Sequence, residues 1–132
     1  CRRGVWFAGG RPLSEVCPPE MSDAFPEEFT VEAGDYCIVK PRFSAFFSTQ
    51  LDLLLRRLGV DTVILAGTTT PNCIRTTCYD ALSLDYDVVV LSDCTSSVTD
   101  EVQSANLRDM ARIGARICTG AELPTLLGEA RA

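Results

Sequence analysis

The segment with the clearest chemical content is residues 67–77, GTTTPNCIRTT, in which a polar turn leads to a cysteine. An apolar run at residues 62–66 precedes the turn, and a pattern typical of a helix follows it. Unpaired N–H groups and the positive dipole end at a helix start favour thiolate over thiol, and they can also receive an oxyanion. Cys73 is therefore a candidate nucleophile. A buried structural cysteine is the alternative that the spacing leaves open.

The basic residues supply a second candidate. The chain has no histidine, so Ser-His-Asp catalysis, Cys-His catalysis and histidine-based metal sites are excluded within it. Lys40 is the single lysine among twelve basic residues. An ammonium is a compact charge that the planar guanidinium of arginine does not reproduce, which suggests a chemical role for Lys40. The other interpretation is that Lys40 is present by chance in an arginine-rich composition and has no special role.

Composition and charge limit the class of protein. The 132 residues are 46% hydrophobic and 23% charged, which predicts one globular domain, residues 1–132, with its own core. The net charge of −6 argues against nucleic acids and anionic membranes as partners, because both attract clustered lysine and arginine. No apolar run approaches the roughly 20 residues that span a bilayer. We therefore expect a cytoplasmic protein that binds neither nucleic acid nor membrane.

The seven cysteines form neither a metal-site pattern nor a disulfide framework, because no two are spaced C-x-x-C and their number is odd. Several lie in apolar runs, where a free cysteine behaves as a small hydrophobic residue. We expect Cys37, Cys78 and Cys118 in the core.

Regular structure is expected from residue 35 onward, whereas glycine and proline interrupt any periodicity in residues 1–34. Short continuous apolar runs suit buried parallel strands, and leucines three and four residues apart suit a helix. Ser48 or Thr49 can cap the first helix, and Gly59 stands where a C′ glycine belongs. The expected strands are residues 36–39, 62–66, 88–91 and 114–118, and the expected helices begin near residues 51, 73, 99 and 122.

Strands that alternate with helices predict an α/β fold, a parallel sheet with helices on both faces. Ligands of such sheets bind beyond the carboxyl ends of the strands. Lys40 follows the first expected strand, residues 68–73 follow the second, and residues 92–95 follow the third. The topology would therefore bring Lys40 and Cys73 to the same rim of the sheet.

Several motifs occur in one order between residues 35 and 122. They are KPRFSAF at 40–46, LGV at 58–60, AGTTTPNC at 66–73, DA at 80–81, SD at 92–93 and GARI at 114–117. With these motifs the chain resembles the isochorismatase-like cysteine hydrolases, a family that includes amidohydrolases and nicotinamidases. The resemblance implies a three-layer α/β/α domain with a parallel sheet and Rossmann-like topology. It also implies that the first strands of the family fold are missing from this chain.

The family acts through a cysteine, a lysine and an aspartate. Matched by position, the resemblance implies that Cys73 is the nucleophile and Lys40 the lysine. It implies a cis peptide bond between Thr68 and Thr69, which would direct the Thr69 N–H, beside the Cys73 N–H, toward an oxyanion. Cys73 would attack the carbonyl of a small amide, ureido or carbamoyl compound and form a thioester that water hydrolyses.

Other residues of the motifs are candidates for substrate binding. Phe43 and Phe46 could line the pocket, and core packing explains their spacing equally well. Arg42 and Arg75 could each pair with a substrate carboxylate or simply lie exposed. Asn72 could donate to the substrate or shape its own turn.

Two features depart from the family pattern. The general-base aspartate of the family lies near the N-terminus in an Asp-x-Gln or Asp-x-Asn motif, which this chain lacks. The metal-binding nicotinamidases of the family use histidine, so we expect no metal and no other cofactor here. An apolar edge left by missing strands would recruit a partner, and we therefore expect a homo-oligomer.

The predicted function is hydrolysis of a C–N bond in a small-molecule substrate through a Cys73 thioester. One alternative is a non-catalytic pseudoenzyme or interaction module, which the missing aspartate favours. The other is hydrolysis of a vinyl ether, the isochorismate type of reaction, which needs no nucleophilic cysteine.

Overall fold

The computed structural model describes residues 30–129, so most of the irregular segment expected at residues 1–34 lies outside the described part. The chain divides into two compact units, Cys1–Val39 and Lys40–Ala132. Along the described residues, no helix is long and apolar enough to cross a membrane.

In the first unit, residues 30–39 form one turn and otherwise irregular backbone. The strand expected at residues 36–39 is wrong, because Tyr36 is 64% exposed and Val39 is 81% exposed. The assignment of Cys37 to the core is wrong as well, since this residue is exposed. An apolar run becomes a buried strand only where a neighbouring strand takes its backbone hydrogen bonds, and residues 30–39 contain no such neighbour.

The second unit alternates helices with strands, as the sequence predicts. Its elements are α1 (Leu51–Arg57), β1 (Thr62–Thr68), a π-helical turn called here the π-turn (Thr70–Ile74), α2 (Arg75–Ser83), β2 (Asp87–Ser96), α3 (Asp100–Arg112), β3 (Arg116–Cys118) and α4 (Leu123–Glu129). The three strands form one parallel sheet in the order β1-β2-β3. Their carboxyl ends therefore lie along one rim, where the π-turn follows β1.

Side chains of the central strand β2 build one apolar cluster on each face of the sheet. Val88 and Val90 belong to the larger cluster, together with residues of α2 and the buried Met110 of α3. Val89 and Leu91 belong to the other cluster, which α4 covers. Successive side chains of a strand point to opposite faces, so burial on both faces requires a continuous apolar run. Helices cover both faces, which confirms the predicted α/β fold.

Helix α1 ends as predicted, and Thr49 supplies a side-chain hydrogen bond at its start. Gly59 has φ +67°, and its N–H and that of Val60 close a Schellman motif on the last turn. Glycine adopts this left-handed conformation without a Cβ clash. Gln50 occupies the cap position without a side-chain hydrogen bond, and the predicted capping comes from the side chain of Thr49 one residue earlier. Thr49 accepts a hydrogen bond from the first helical N–H (3.2 Å) through Oγ1.

A hydrogen-bonded carboxylate connects α1 to the start of β2. The Tyr86 hydroxyl donates to Asp52 Oδ1 (2.9 Å), and Arg56 Nε donates to both carboxylate oxygens (3.0 and 3.1 Å). These hydrogen bonds, with that of Tyr86 the largest cause, hold the pKa of Asp52 below its usual range. A lowered folded-state pKa means that the carboxylate stabilises the fold above pH about 4, and that this contribution disappears as the pH falls through the folded value.

We expect Asp52→Asn to lower the urea midpoint of unfolding at neutral pH, and the difference from wild type to shrink below pH about 4. Urea titrations of both proteins at neutral and acid pH measure this change. Tyr86→Phe is the matched variant, because it keeps the ring and removes the hydrogen bond that lowers the pKa most. A midpoint difference that stays constant from neutral to acid pH would contradict the prediction.

Candidate active site

The π-turn that carries Cys73 is anchored at its start to the neighbouring strand. The peptide bond between Thr68 and Thr69 is cis. Thr70 is completely buried, and its Oγ1 donates to the Ser96 carbonyl (3.1 Å) at the end of β2. This hydrogen bond holds the beginning of the turn at the carboxyl rim of the sheet. Cys73 follows three residues later and is half-buried.

Side chains within the turn maintain its shape. Asn72 Nδ2 donates to Thr69 Oγ1 (3.2 Å), which is the turn-shaping role that the sequence left open for Asn72. Thr76 Oγ1 donates to the Asn72 carbonyl (2.7 Å) and, at 3.4 Å, to the Cys73 carbonyl. The role of Thr76 could not be predicted from the sequence, because a threonine in a helix bonds its own backbone without any spacing signal.

Lys40 approaches the turn from 33 residues earlier in the chain. Its Nζ lies 3.4 Å from Cys73 Sγ and donates to the Arg42 carbonyl at 3.1 Å. In the part of the chain that the structure describes, neither Lys40 nor Cys73 forms an ion pair or hydrogen bond with a carboxylate. The contact places the basic side chain of Lys40 directly against the Cys73 sulfur. The structure thus brings together the two residues that the family resemblance pairs.

The segment after Lys40 is held on helix α2. The Ala45 N–H donates to Thr77 Oγ1 (3.0 Å), five residues beyond Lys40. Phe46, a candidate for substrate binding, packs in the larger apolar cluster with its ring centre 5.8 Å from that of Tyr86. Phe46 therefore has the core-packing role that the sequence left open, and its packing helps to fix the position of the Lys40 segment.

Arg42 and Phe43 lie at a surface cavity next to this segment. The cavity has a volume of about 330 Å³ and is lined by Arg42, Phe43, Ser44, Phe47, Thr76 and Asp80. Thr76 is three residues after Cys73, so the cavity begins one helical turn from the sulfur-bearing residue. Arg42 is exposed, and its Nη1 donates to the Pro41 carbonyl (2.8 Å).

Arg75 pairs within the protein. Its guanidinium donates to Asp109 Oδ2 and Asn106 Oδ1 of α3, and it lies 5.2 Å from the ring centre of Tyr79. The sequence predicted that Arg75 is either exposed or substrate-binding, because contacts between residues 34 apart leave no local signal. This pairing connects the start of α2 to α3.

The described cysteines differ in their surroundings. Burial raises the pKa of the Cys78 thiol to about 11, and burial with nearby carboxylates raises that of Cys118. The prediction that both lie in the core is confirmed. Partial desolvation and the adjacent carboxylate of Asp93 raise the pKa of the exposed Cys94 thiol. These three thiols stay protonated at neutral pH and are poor nucleophiles.

Comparisons with known proteins identify the family of this chain. A family model described as an isochorismatase domain matches residues 7–122. A protein of Arabidopsis thaliana named "Probable inactive nicotinamidase" is 51% identical over 89 residues, 67% of this chain and 45% of the relative. Maleamate amidohydrolase of Pseudomonas putida is 35% identical over 107 residues, 81% of this chain and 50% of the relative.

A solved structure provides the same assignment independently. The crystal structure of an isochorismatase family protein from Desulfovibrio vulgaris is 45% identical, with a TM-score of 0.73 over 75% of this chain and 52% of that chain. The chain thus spans about half the length of the relatives that it matches. From the family match and the shared fold, the chain belongs to the isochorismatase family.

Proposed function

We propose that this protein is a cysteine hydrolase that cleaves the C–N bond of a small amide, ureido or carbamoyl compound. The observation that carries the proposal is the 3.4 Å contact between Lys40 Nζ and Cys73 Sγ, in the turn after β1. In this proposal the Lys40 ammonium would stabilise the negative charge of the Cys73 thiolate, which is the nucleophilic form of cysteine. Similarity to a maleamate amidohydrolase supports an amide as the substrate.

In the proposed reaction, the Cys73 thiolate attacks the carbonyl carbon, a C–S bond forms, and the carbonyl oxygen becomes an oxyanion. The N–H groups of Thr69 and Cys73 would stabilise this oxyanion. Collapse of the intermediate breaks the C–N bond, and the nitrogen leaves with a proton that the Lys40 ammonium supplies. Water then attacks the thioester and returns a proton to Lys40, and the C–S bond breaks to release a carboxylic acid and the thiolate.

The cavity beside Arg42 and Phe43 is the proposed site for the rest of the substrate. It begins one helical turn from Cys73 and offers a guanidinium together with apolar ring surface. A guanidinium matches the geometry of a carboxylate, so a small molecule with an amide at one end and a carboxylate at the other fits both groups. Maleamate, which the name of one relative specifies, is a molecule of this kind.

Thiol alkylation of the complete polypeptide tests the nucleophile. We expect iodoacetamide at neutral pH to modify Cys73 at least about 10-fold faster than the exposed Cys37 and Cys94. The reason is that the Lys40 ammonium faces the sulfur of Cys73, whereas a carboxylate faces that of Cys94. Peptide mapping by mass spectrometry gives the three rates. Lys40→Gln should remove most of the difference.

Turnover is tested with maleamate and, in a parallel arm, with an N-carbamoyl amino acid. Ammonia release and an acyl adduct on Cys73, detected by mass after an acid quench, are the expected results. Alkylation of Cys73 no faster than that of the exposed Cys37 and Cys94 would contradict the proposed hydrolase, and so would the absence of an acyl adduct on Cys73.

A non-catalytic protein of the same fold is the second candidate. One relative carries the word "inactive" in its name. Among residues 30–129, no carboxylate bonds to Cys73 or Lys40, whereas the family mechanism includes an aspartate. Such a protein would keep a fast-reacting Cys73 and release no ammonia from either substrate. That combination of results would favour this candidate over the hydrolase.

A further inference from the structure

The backbone of Arg75 closes the turn that carries Cys73. The Arg75 N–H donates to the carbonyls of Thr70 and Asn72, which are the first and third residues of the π-turn. Cys73 lies between these acceptors and Arg75 in the chain. A shift of the Arg75 backbone therefore moves the sulfur-bearing residue with it.

The side chain of Arg75 fastens this position to α3. Nη1 donates to Asn106 Oδ1 (3.0 Å), and Nη2 donates to Asp109 Oδ2. Asn106 is 8% exposed, and its Nδ2 donates to the Val102 carbonyl (2.8 Å), so the acceptor of Arg75 is itself held in place. The planar guanidinium can reach two acceptors at once with fixed geometry.

The same cluster includes an aromatic ring on α2. The Tyr79 ring centre lies 5.2 Å from the Arg75 guanidinium, and the Tyr79 hydroxyl donates to Asp109 Oδ2 (3.3 Å). The side chains of Arg75 and Asp109 are partly exposed, so their ion pair contributes little to the stability of the fold. The Arg75–Asp109 ion pair can nevertheless hold the start of α2 in position, because this requires it to restrain only one turn of the chain.

We propose that Arg75 is a positioning residue for Cys73, and that its clamp on Asn106 and Asp109 keeps the Cys73 sulfur within reach of the Lys40 ammonium. This inference rests on the proposed cysteine-hydrolase function. Arg75 acts through the backbone of the π-turn, whereas Lys40 contacts the sulfur directly.

Geometry and charge make different predictions at Arg75. Arg75→Lys keeps a positive charge, but an ammonium is a point donor that cannot hold both acceptors in the fork geometry. Asp109→Asn leaves Arg75 in place and removes one charged acceptor. If the fork geometry of Arg75 positions Cys73, Arg75→Lys and Asp109→Asn both reduce the reactivity of Cys73. If the positive charge alone is responsible, Arg75→Lys behaves like wild type.

The test uses the complete polypeptide and two readouts. The first is the rate of iodoacetamide modification of Cys73 as a function of pH, measured by peptide mapping. The second is kcat and KM for maleamate, measured by ammonia release. We expect Arg75→Gln, Arg75→Lys and Asp109→Asn each to slow alkylation at neutral pH and to lower kcat by about 10-fold, with KM changed less than about twofold. A loss in kcat without a matching change in KM is the result expected when reacting groups are misplaced and substrate binding is retained.

Arg56→Gln is the matched control. Arg56 also bonds a carboxylate, Asp52, and lies 5.4 Å from the ring centre of a tyrosine, Tyr86, but it belongs to α1 and makes no contact with the π-turn. Its loss should leave the alkylation rate of Cys73 within about twofold of wild type. An equal slowing in Arg56→Gln would mean general loosening of the fold and would overturn the positioning role.

The remaining outcomes separate this inference from the proposed function. A reactive Cys73 in wild type that stays equally reactive in the Arg75 and Asp109 variants would overturn the positioning role alone. Wild-type reactivity in Arg75→Lys with loss in Arg75→Gln would assign the effect to charge and overturn it too. If wild-type Cys73 reacts no faster than Cys94, the proposed function fails, and the positioning role fails with it.

Discussion

Under the proposed function, replacing Cys73 with serine is expected to lower the rate of amide hydrolysis by about 10³-fold or more while the fold stays intact. A serine hydroxyl is protonated at neutral pH, and the Lys40 ammonium next to this position cannot remove its proton. Oxygen is no larger than sulfur, so the π-turn keeps its hydrogen bonds. Ammonia release by the complete polypeptide measures the loss, and circular dichroism measures the fold.

The matched control for this change is Cys94→Ser. Cys94 is exposed and lies at the end of β2, where its sulfur faces the Asp93 carboxylate. Its replacement should leave turnover within about twofold of wild type, since the exposed Cys94 sulfur faces Asp93 and its change to serine removes little packing. A Cys73→Ser variant that keeps more than about a tenth of the wild-type rate would exclude covalent catalysis by Cys73.

Met110→Ala is expected to lower the free energy of unfolding by about 2–5 kcal/mol. Met110 is 0% exposed and belongs to the apolar cluster with Cys78, Ala81 and Val88, so its truncation leaves a cavity that α2, α3 and the sheet enclose. Domains of this size have a total stability of only about 5–15 kcal/mol, which makes this loss large. Chemical denaturation of the complete polypeptide measures it.

Two variants separate the cavity from other effects. Met110→Leu nearly conserves the side-chain volume and should cost less than about 1.5 kcal/mol. Val98→Ala removes apolar atoms from a side chain that is 82% exposed, and its effect should stay within about 0.5 kcal/mol. If Met110→Ala unfolds at the same denaturant concentration as Val98→Ala, the position of Met110 in the core is wrong.

The elements that local spacing encodes could be predicted from the sequence. The apolar runs predicted β1 and β2, and in β2 the run at residues 88–91 is buried on both faces, as a continuous apolar run requires. In β1 the same kind of run leaves Ile64 42% exposed. Gly59 predicted the end of α1, because few other residues tolerate the left-handed backbone there. The order of the short motifs around Lys40 and Cys73 indicated both as candidate site residues, and the structure places their side chains in contact.

Only the tertiary structure decided which side chains surround Cys73 and what each one contacts. Residues 36–39 are as apolar as residues 88–91 of β2, yet they form no strand. Strand pairing depends on a neighbouring strand that local composition does not reveal. Arg75 is bound to α3, and Phe46 packs on Tyr86, although both were candidates for substrate binding. These outcomes depend on contacts between residues some 30 to 40 positions apart, and the periodicity of a segment carries no information about such contacts.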